Sequence, residues 1–204
     1  MASVLSAESI TASFIYGTLP KVEGRPAFND IYEAFKLQQV NAVTIHTSIG
    51  GGQHGYLGAL LDAPTYATVS ATAWVDPVFP GQYPTIPDGA TVAQIRVLTE
   101  KHTEETREFK QHHNVQQALK KQIIDCFALE FREGYKQPFV QFGNRQIGPF
   151  YVWLFQNYGT LSPQDNDSNT AKFNQEWDPS IPFESYAVKL EEAAEIATLA
   201  GTPF

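Results

Sequence analysis

An all-α fold of six to seven helices on short loops is predicted from three observations. Apolar residues recur at helical spacing in several separate stretches. Those stretches open on recognisable start signals, such as Thr91 with Gln94 and Ser162 with Pro163. Only one run, Val40–Ile49, is β-branched and partly alternating, and a lone strand pairs poorly.

Residues 1–25 show no clear period, end at Gly24 and Pro26, and are expected to form an extended arm. A helical domain is expected over 26–204, with a candidate sub-boundary near 134–143, where Gly134, Pro138 and Gly143 interrupt the pattern. Residues 27–39 place Phe28, Ile31, Tyr32 and Phe35 at helical spacing, followed by the polar pair Gln38-Gln39. Val40–Ile49 fits a strand or an extended segment equally. Asp62 is placed to cap a short helix with Pro64 in its first turn.

The stretch WVDPVFPGQYPTIPDG, Trp74–Gly89, carries four prolines and is expected as an irregular segment folded over a surface. Thr91 and Gln94 form a capping box for a helix with the stripe Val92, Ile95 and Leu98, running to about Phe109. Asn114 with Gln117 repeats that logic for a second helix with Val115, Ala118, Leu119, Ile123, Cys126 and Phe127 on one side. Asn144 is expected to cap a helix burying Ile147, Phe150, Tyr151, Leu154 and Phe155, stopped by Gly159 after Tyr158. Ser162-Pro163 opens a polar helix to about Gln175. Ser180, with Pro182 in the first turn, opens the last, through Tyr186, Ala187, Leu190, Ala194 and Ala197.

Of the 204 residues, 43% are hydrophobic and 13% aromatic, enough to build a core and unlike a disordered chain. The net charge of −8, with no basic run, argues against a dedicated nucleic-acid binder. No apolar run reaches the ~20 residues that cross a bilayer. The first residues lack the basic and apolar regions of a secretory signal. A single cysteine, Cys126, fits a reducing compartment, so a soluble, cytoplasmic protein is expected.

Candidate chemistry is sparse. The run GGGQHG at Gly50–Gly55 is followed by Tyr56-Leu57, not by the Lys-Ser or Lys-Thr of a phosphate loop, so its glycines read as a tight turn. His102, His112 and His113 lie near acidic residues but lack zinc-ligand spacing, and they read as a polar face or helix end. His46 and His54 stand alone. There is no Gly-x-Ser-x-Gly elbow, and Cys126 lies on an apolar stripe. No catalytic residue, metal ligand or cofactor is expected, and no small-molecule substrate.

The run GGGQHGYLGALL, the proline-rich stretch, ALKKQIIDCF, LFQNYGTLSPQD and FNQEWDPSIPFE, in that order over about residues 45–204, resembles Gag proteins of copia-type retrotransposons, in particular the diatom versions. Tyr158-Gly159 matches the end of a family helix, and Trp177-Asp178-Pro179 matches the opening of the next. The resemblance implies a capsid-like helical bundle that oligomerises into rings and shells, with Trp177 plugging a gap between helices. A zinc knuckle, frequent downstream in such proteins, is not found here. The chain is therefore expected to be a Gag fragment or a shortened, domesticated relative, binding nucleic acid only weakly by itself.

The leading expectation is a capsid protein assembling with copies of itself. Its contacts are expected from the arm, through Phe14, Ile15, Tyr16 and Leu19, and from the proline-stiffened stretch, through Trp74, Val78, Phe79 and Tyr83. Two rivals stand beside it: a domesticated scaffold binding a protein partner without forming a shell, and an enzyme using His112 and His113.

Overall fold

The computed structural model describes residues 4–143 and 145–202, and among them the fold is all-α, as the periodicity predicts, with no strand. Eight α-helices form: α1 (Ala7–Ser13), α2 (Phe28–Thr44), α3 (Ala63–Val69), α4 (Val92–Cys126), α5 (Leu129–Arg132), α6 (Ile147–Tyr158), α7 (Pro163–Phe173) and α8 (Phe183–Leu199). None is long and apolar enough to cross a membrane. The chain divides into two compact units, each discontinuous in sequence.

The first unit comprises Met1–Leu19, Leu37–Cys126 and Gln146–Gly148. Its spine is α4, where Val115, Ala118, Leu119, Ile123 and Cys126 are buried as their spacing predicts. Two expected helices are here one 35-residue helix. No glycine or proline interrupts Phe109–Asn114, so nothing ends the helix there. Asn114 does not cap. Its Nδ2 donates to the Leu5 carbonyl at 2.8 Å, while the Leu5 N–H donates to Gln111 Oε1 at 3.0 Å. The capping box at the true start is present: Thr91 N–H donates to Gln94 Oε1 at 2.9 Å, and Gln94 N–H donates to Thr91 Oγ1 at 3.3 Å.

The expected extended arm is overturned by α1. Ser6 caps it by accepting from the Ser9 N–H at 3.2 Å, and its buried Ile10 faces α4. Seven residues are too few for a stable isolated helix, so α1 is held by packing. Beyond it, two buried amides capture the backbone. Asn41 Nδ2 donates to the Tyr16 carbonyl at 2.8 Å, and Gln122 Nε2 donates to the same oxygen at 2.7 Å and to the Gly17 carbonyl at 3.1 Å. The Tyr16 N–H returns a bond to Asn41 Oδ1 at 2.9 Å. Gln38 joins this network through Leu119 O at 2.7 Å.

The strand-or-extended expectation for Val40–Ile49 fails in its first half, because α2 continues through Thr44. Burial of Ala42 and Asn41 on the helical face outweighs the β propensity of Val40 and Val43, both of which face solvent. The Asp62 cap of α3 is as predicted, accepting from the Thr65 N–H at 2.9 Å.

The second unit comprises Pro20–Lys36, Phe127–Arg145 and Pro149–Phe204. Its core is aromatic. Phe35 meets Tyr151 with centroids 4.8 Å apart, Phe28 meets Phe155 at 5.4 Å, and Tyr135 stacks on Phe150 at 4.6 Å. The Arg145 guanidinium lies 4.5 Å from the Tyr135 ring centre. α7 opens on Ser162, which accepts from the Asp165 N–H at 3.1 Å, and packs on α8 through buried Ala193 and Ala197. Buried Asn169 donates to the Ala193 carbonyl at 2.9 Å. Tyr32 and Lys36 of α2 both donate to Glu195 of α8, at 3.0 and 2.6 Å.

Two expectations for this unit need correction. α8 begins at Phe183 with Pro182 at its cap position, not at Ser180, whose N–H instead donates to the Asp178 side chain at 2.8 Å. The core role given to Trp177, Asp178 and Pro179 also fails: Trp177 is 44% exposed, and residues 171–180 are all exposed. The Asx turn made by Asp178 carries the chain across the surface between α7 and α8, leaving Trp177 to rest on Phe183 at 6.0 Å. The cap proposed at Asn144 lies outside the described residues.

Candidate assembly surface

Fastening of the proline-rich segment begins in the glycine-rich turn before it. Gly50, Gly51, Gly52 and Gly55 all have positive φ, as a tight turn requires. The Gly50 carbonyl accepts from the Tyr66 hydroxyl at 2.9 Å and from Ser70 Oγ at 3.0 Å. Gly58 meets a different demand: a Cβ there would overlap the Trp74 indole. The indole is thereby seated among Tyr56 at 5.7 Å, Tyr66 at 5.9 Å and His112 at 6.2 Å.

Asp76 ties this anchor down. Its Oδ1 accepts from Trp74 Nε1 at 2.7 Å, and its Oδ2 accepts from Gln146 Nε2 at 2.7 Å. Nε2 of buried His112 lies 3.2 Å from Oδ1, within ion-pair distance although the N–H is not aimed along the line to the oxygen. The His112 ring does most to hold Asp76 below the usual carboxylate range; burial opposes it, and the Trp74 N–H adds to the lowering.

From this anchor the chain runs antiparallel along α4. Phe79 packs on Phe109 at 5.3 Å, and Tyr83 packs on His102 at 5.4 Å while its hydroxyl lies 2.6 Å from Thr99 Oγ1. The Gly81 carbonyl lies 3.3 Å from His102 Nε2. Prolines fix φ and carry no N–H, so the strip stays extended without a strand partner. Its outer side is apolar: Val78 is 82% exposed, and Val75, Phe79, Tyr83 and Ile86 are exposed with it. Of the stripe expected to open α4, Val92 is exposed while Ile95 and Leu98 are half-buried, and Val97 beside them is exposed too. At the end of the strip, Pro87, Ala90, Ala93, Val97 and Leu98 line a groove of about 640 Å³ with Asp88 in its wall.

The expected contact residues therefore separate. Val78, Phe79 and Tyr83 come together on one exposed strip, while Trp74 is the anchor beneath it. Phe14 and Leu19 are buried in their own unit; Ile15 and Tyr16 remain exposed. In the second unit, Tyr158 is partly covered by Phe131 at 5.9 Å and Trp153 at 5.8 Å, and Gly159 is buried, with its N–H donating to the Phe155 carbonyl at 2.8 Å. The sequence reading did not anticipate a second exposed apolar pair there, Trp177 and Phe183 in contact at 6.0 Å, with Phe173 and Val188 exposed elsewhere on α7 and α8.

The histidines do not converge. His113 stacks on Phe109 at 6.4 Å, whereas His112 belongs to the Trp74 anchor. Among the described residues no group of three or more His, Cys, Asp or Glu is placed to hold a metal. Compared with protein-family models, characterised proteins and solved structures, the chain matches none.

Proposed function

We propose that the chain is a self-assembling structural protein of the Gag capsid type, whose working surface is the proline-stiffened strip along α4. The observation that carries this reading is the fastening of the strip. A half-buried Trp74, an Asp76 carboxylate that accepts from Trp74 and Gln146 with His112 at ion-pair distance, and two aromatic contacts to α4 are spent on holding a segment whose outward side chains are apolar. An exposed apolar surface of this extent marks an interaction site, and prior fixing of the backbone lowers the entropy lost on docking. The order of the Gag-like segments supports a second copy of the chain as the partner. The separate exposed pair of Trp177 and Phe183 in the second unit supports contacts between unlike faces, which build rings or shells. In this reading the chain works in the cytoplasm and binds nucleic acid weakly.

Mass photometry and negative-stain imaging of the purified chain test the proposal. Rings or particles are expected at moderate salt, and Val78→Asp with Phe79→Asp should return the chain to monomers with its helical circular dichroism intact. A full-length chain that stays monomeric at high concentration refutes the assembly reading.

A further inference from the structure

The loop between α5 and α6 carries a feature that the strip does not use. Gln137 and Gln141 pair through both backbone hydrogen bonds, each 3.0 Å, closing a three-residue loop of Pro138, Phe139 and Val140. The Val140 N–H also donates to the Pro138 carbonyl at 2.8 Å with Phe139 at φ +68°, which is the rare and strained form of the γ-turn. Glycine would take that φ freely; phenylalanine does not. Its ring is completely exposed, at 101%. A large apolar side chain held in a disfavoured backbone conformation and given to solvent has no stabilising role within its own chain.

The hairpin beneath it is anchored in the core of its unit. Phe142 is buried against Phe150 at 5.7 Å, with the Arg132 guanidinium 5.5 Å from its ring centre. Phe139 is thus a preorganised knob. The first unit supplies a matching hole: the groove of about 640 Å³ at the end of the proline-rich strip is walled by small apolar side chains and exceeds the volume of a phenyl ring. Charge agrees with the pairing through Arg145 beside the hairpin, Lys136 being paired with Glu133 at 3.5 Å, while Asp88 stands in the groove wall.

We propose that Phe139 of one copy seats in the groove formed by Pro87–Leu98 of a second copy. This rests on the self-assembly reading and specifies one contact within it. Each copy carries one knob and one hole, so the contact is heterologous and propagates head to tail. An aromatic anchor that loses its water on seating in an apolar groove is the type of residue that dominates an interface.

Two variants test this. Phe139→Gly removes the knob and suits the turn's positive φ, so it should unfold no more easily than the wild-type chain. Ala93→Trp, at an exposed position of α4, fills the hole. Each alone should self-associate about thirtyfold more weakly by sedimentation, the size of effect lost with a hot-spot anchor. Mixed one to one, they should recover association as heterodimers, since one intact knob meets one intact hole. Wild-type-like assembly of either variant overturns this contact and leaves the broader reading standing. A monomeric wild-type chain overturns both, and a mixture that does not recover overturns the pairing of this knob with this hole.

Discussion

Replacing Asp76 with alanine should loosen the proline-rich strip from α4 and destabilise the chain by about 2–4 kcal/mol. A hydrogen bond to a charged group contributes about 1.5–3 kcal/mol. Asp76 receives donors from Trp74 and Gln146 at 2.7 Å each, with His112 at 3.2 Å. The three do not add in full, because the carboxylate is 33% exposed and water can replace part of what it loses. Buried His112 is the group that water reaches least, so its loss weighs most. Urea unfolding at neutral pH, followed by tryptophan fluorescence and circular dichroism, gives the difference directly. In a double-mutant cycle, Asp76→Ala and His112→Ala should couple by roughly 0.5–3 kcal/mol. The pH dependence follows from the sign of the shift. The folded Asp76 carboxyl takes up its proton less readily than the unfolded one, whose ordinary value is about 3.9. Its stabilisation is therefore complete above that ordinary value and is lost as pH falls through the lower, folded one. The alanine variant should lack that part of the acid limb. A loss below about 0.5 kcal/mol, or a cycle with no coupling, refutes the account of Asp76 as a hub.

Trp177→Ala should cost less than about 1 kcal/mol, because the ring is 44% exposed and is held by the Phe183 ring and one exposed hydrogen bond, from Nε1 to the Ile181 carbonyl at 3.2 Å; a loss of about 3–5 kcal/mol in chemical denaturation would place it in a core instead. Gly58→Ala should cost about 1–3 kcal/mol by overpacking, since its methyl would meet the Trp74 indole, and the combination with Trp74→Ala should be less than additive. RNA should bind weakly at physiological salt given the net charge of −8; fluorescence anisotropy giving submicromolar affinity would contradict this.

The fold class and the apolar stripes of α4 after Asn114 and of α6 were legible because burial there follows the helical period residue by residue. The caps at Asp62, Thr91 and Ser162 were legible because a short polar side chain three residues before an N–H has one geometry open to it. What escaped depends on distant partners. Nothing in the local pattern marks Asn41 and Gln122, yet they are the clamps on Tyr16 and Gly17. His112 read as a polar face until Asp76, 36 positions earlier, and the Trp74 ring covered it. The stripe Val92, Ile95 and Leu98 has the helical period, but periodicity names a face without naming what lies against it: Ile95 and Leu98 are half-covered and Val92 is left in solvent. The irregular, exposed course of the strip was legible because prolines forbid the segment a helix or sheet of its own.

Deletion of residues 1–20 separates the two roles the amino-terminal segment can play. A free arm would come away without harm to the fold and take assembly with it. The segment is instead built into the first unit: Ile10 is fully buried, and Phe14 and Leu19 are 6% and 8% exposed. Burial of each such side chain stabilises by about 1.5–3 kcal/mol, so the three together supply an amount comparable to the ~5–15 kcal/mol that holds a whole domain together. Removal also strips partners from the Asn41 and Gln122 side-chain amides and exposes the face of α4 that α1 covers. Buried amides without partners add a desolvation penalty to the lost burial. The truncated chain should therefore lose helical circular dichroism and cooperative urea unfolding, with failure to assemble following from unfolding and not from a missing contact. A truncated chain that keeps its helicity and unfolds within about 1 kcal/mol of the full-length chain would overturn this account. It would return Phe14 and Leu19 to the role of contacts between subunits.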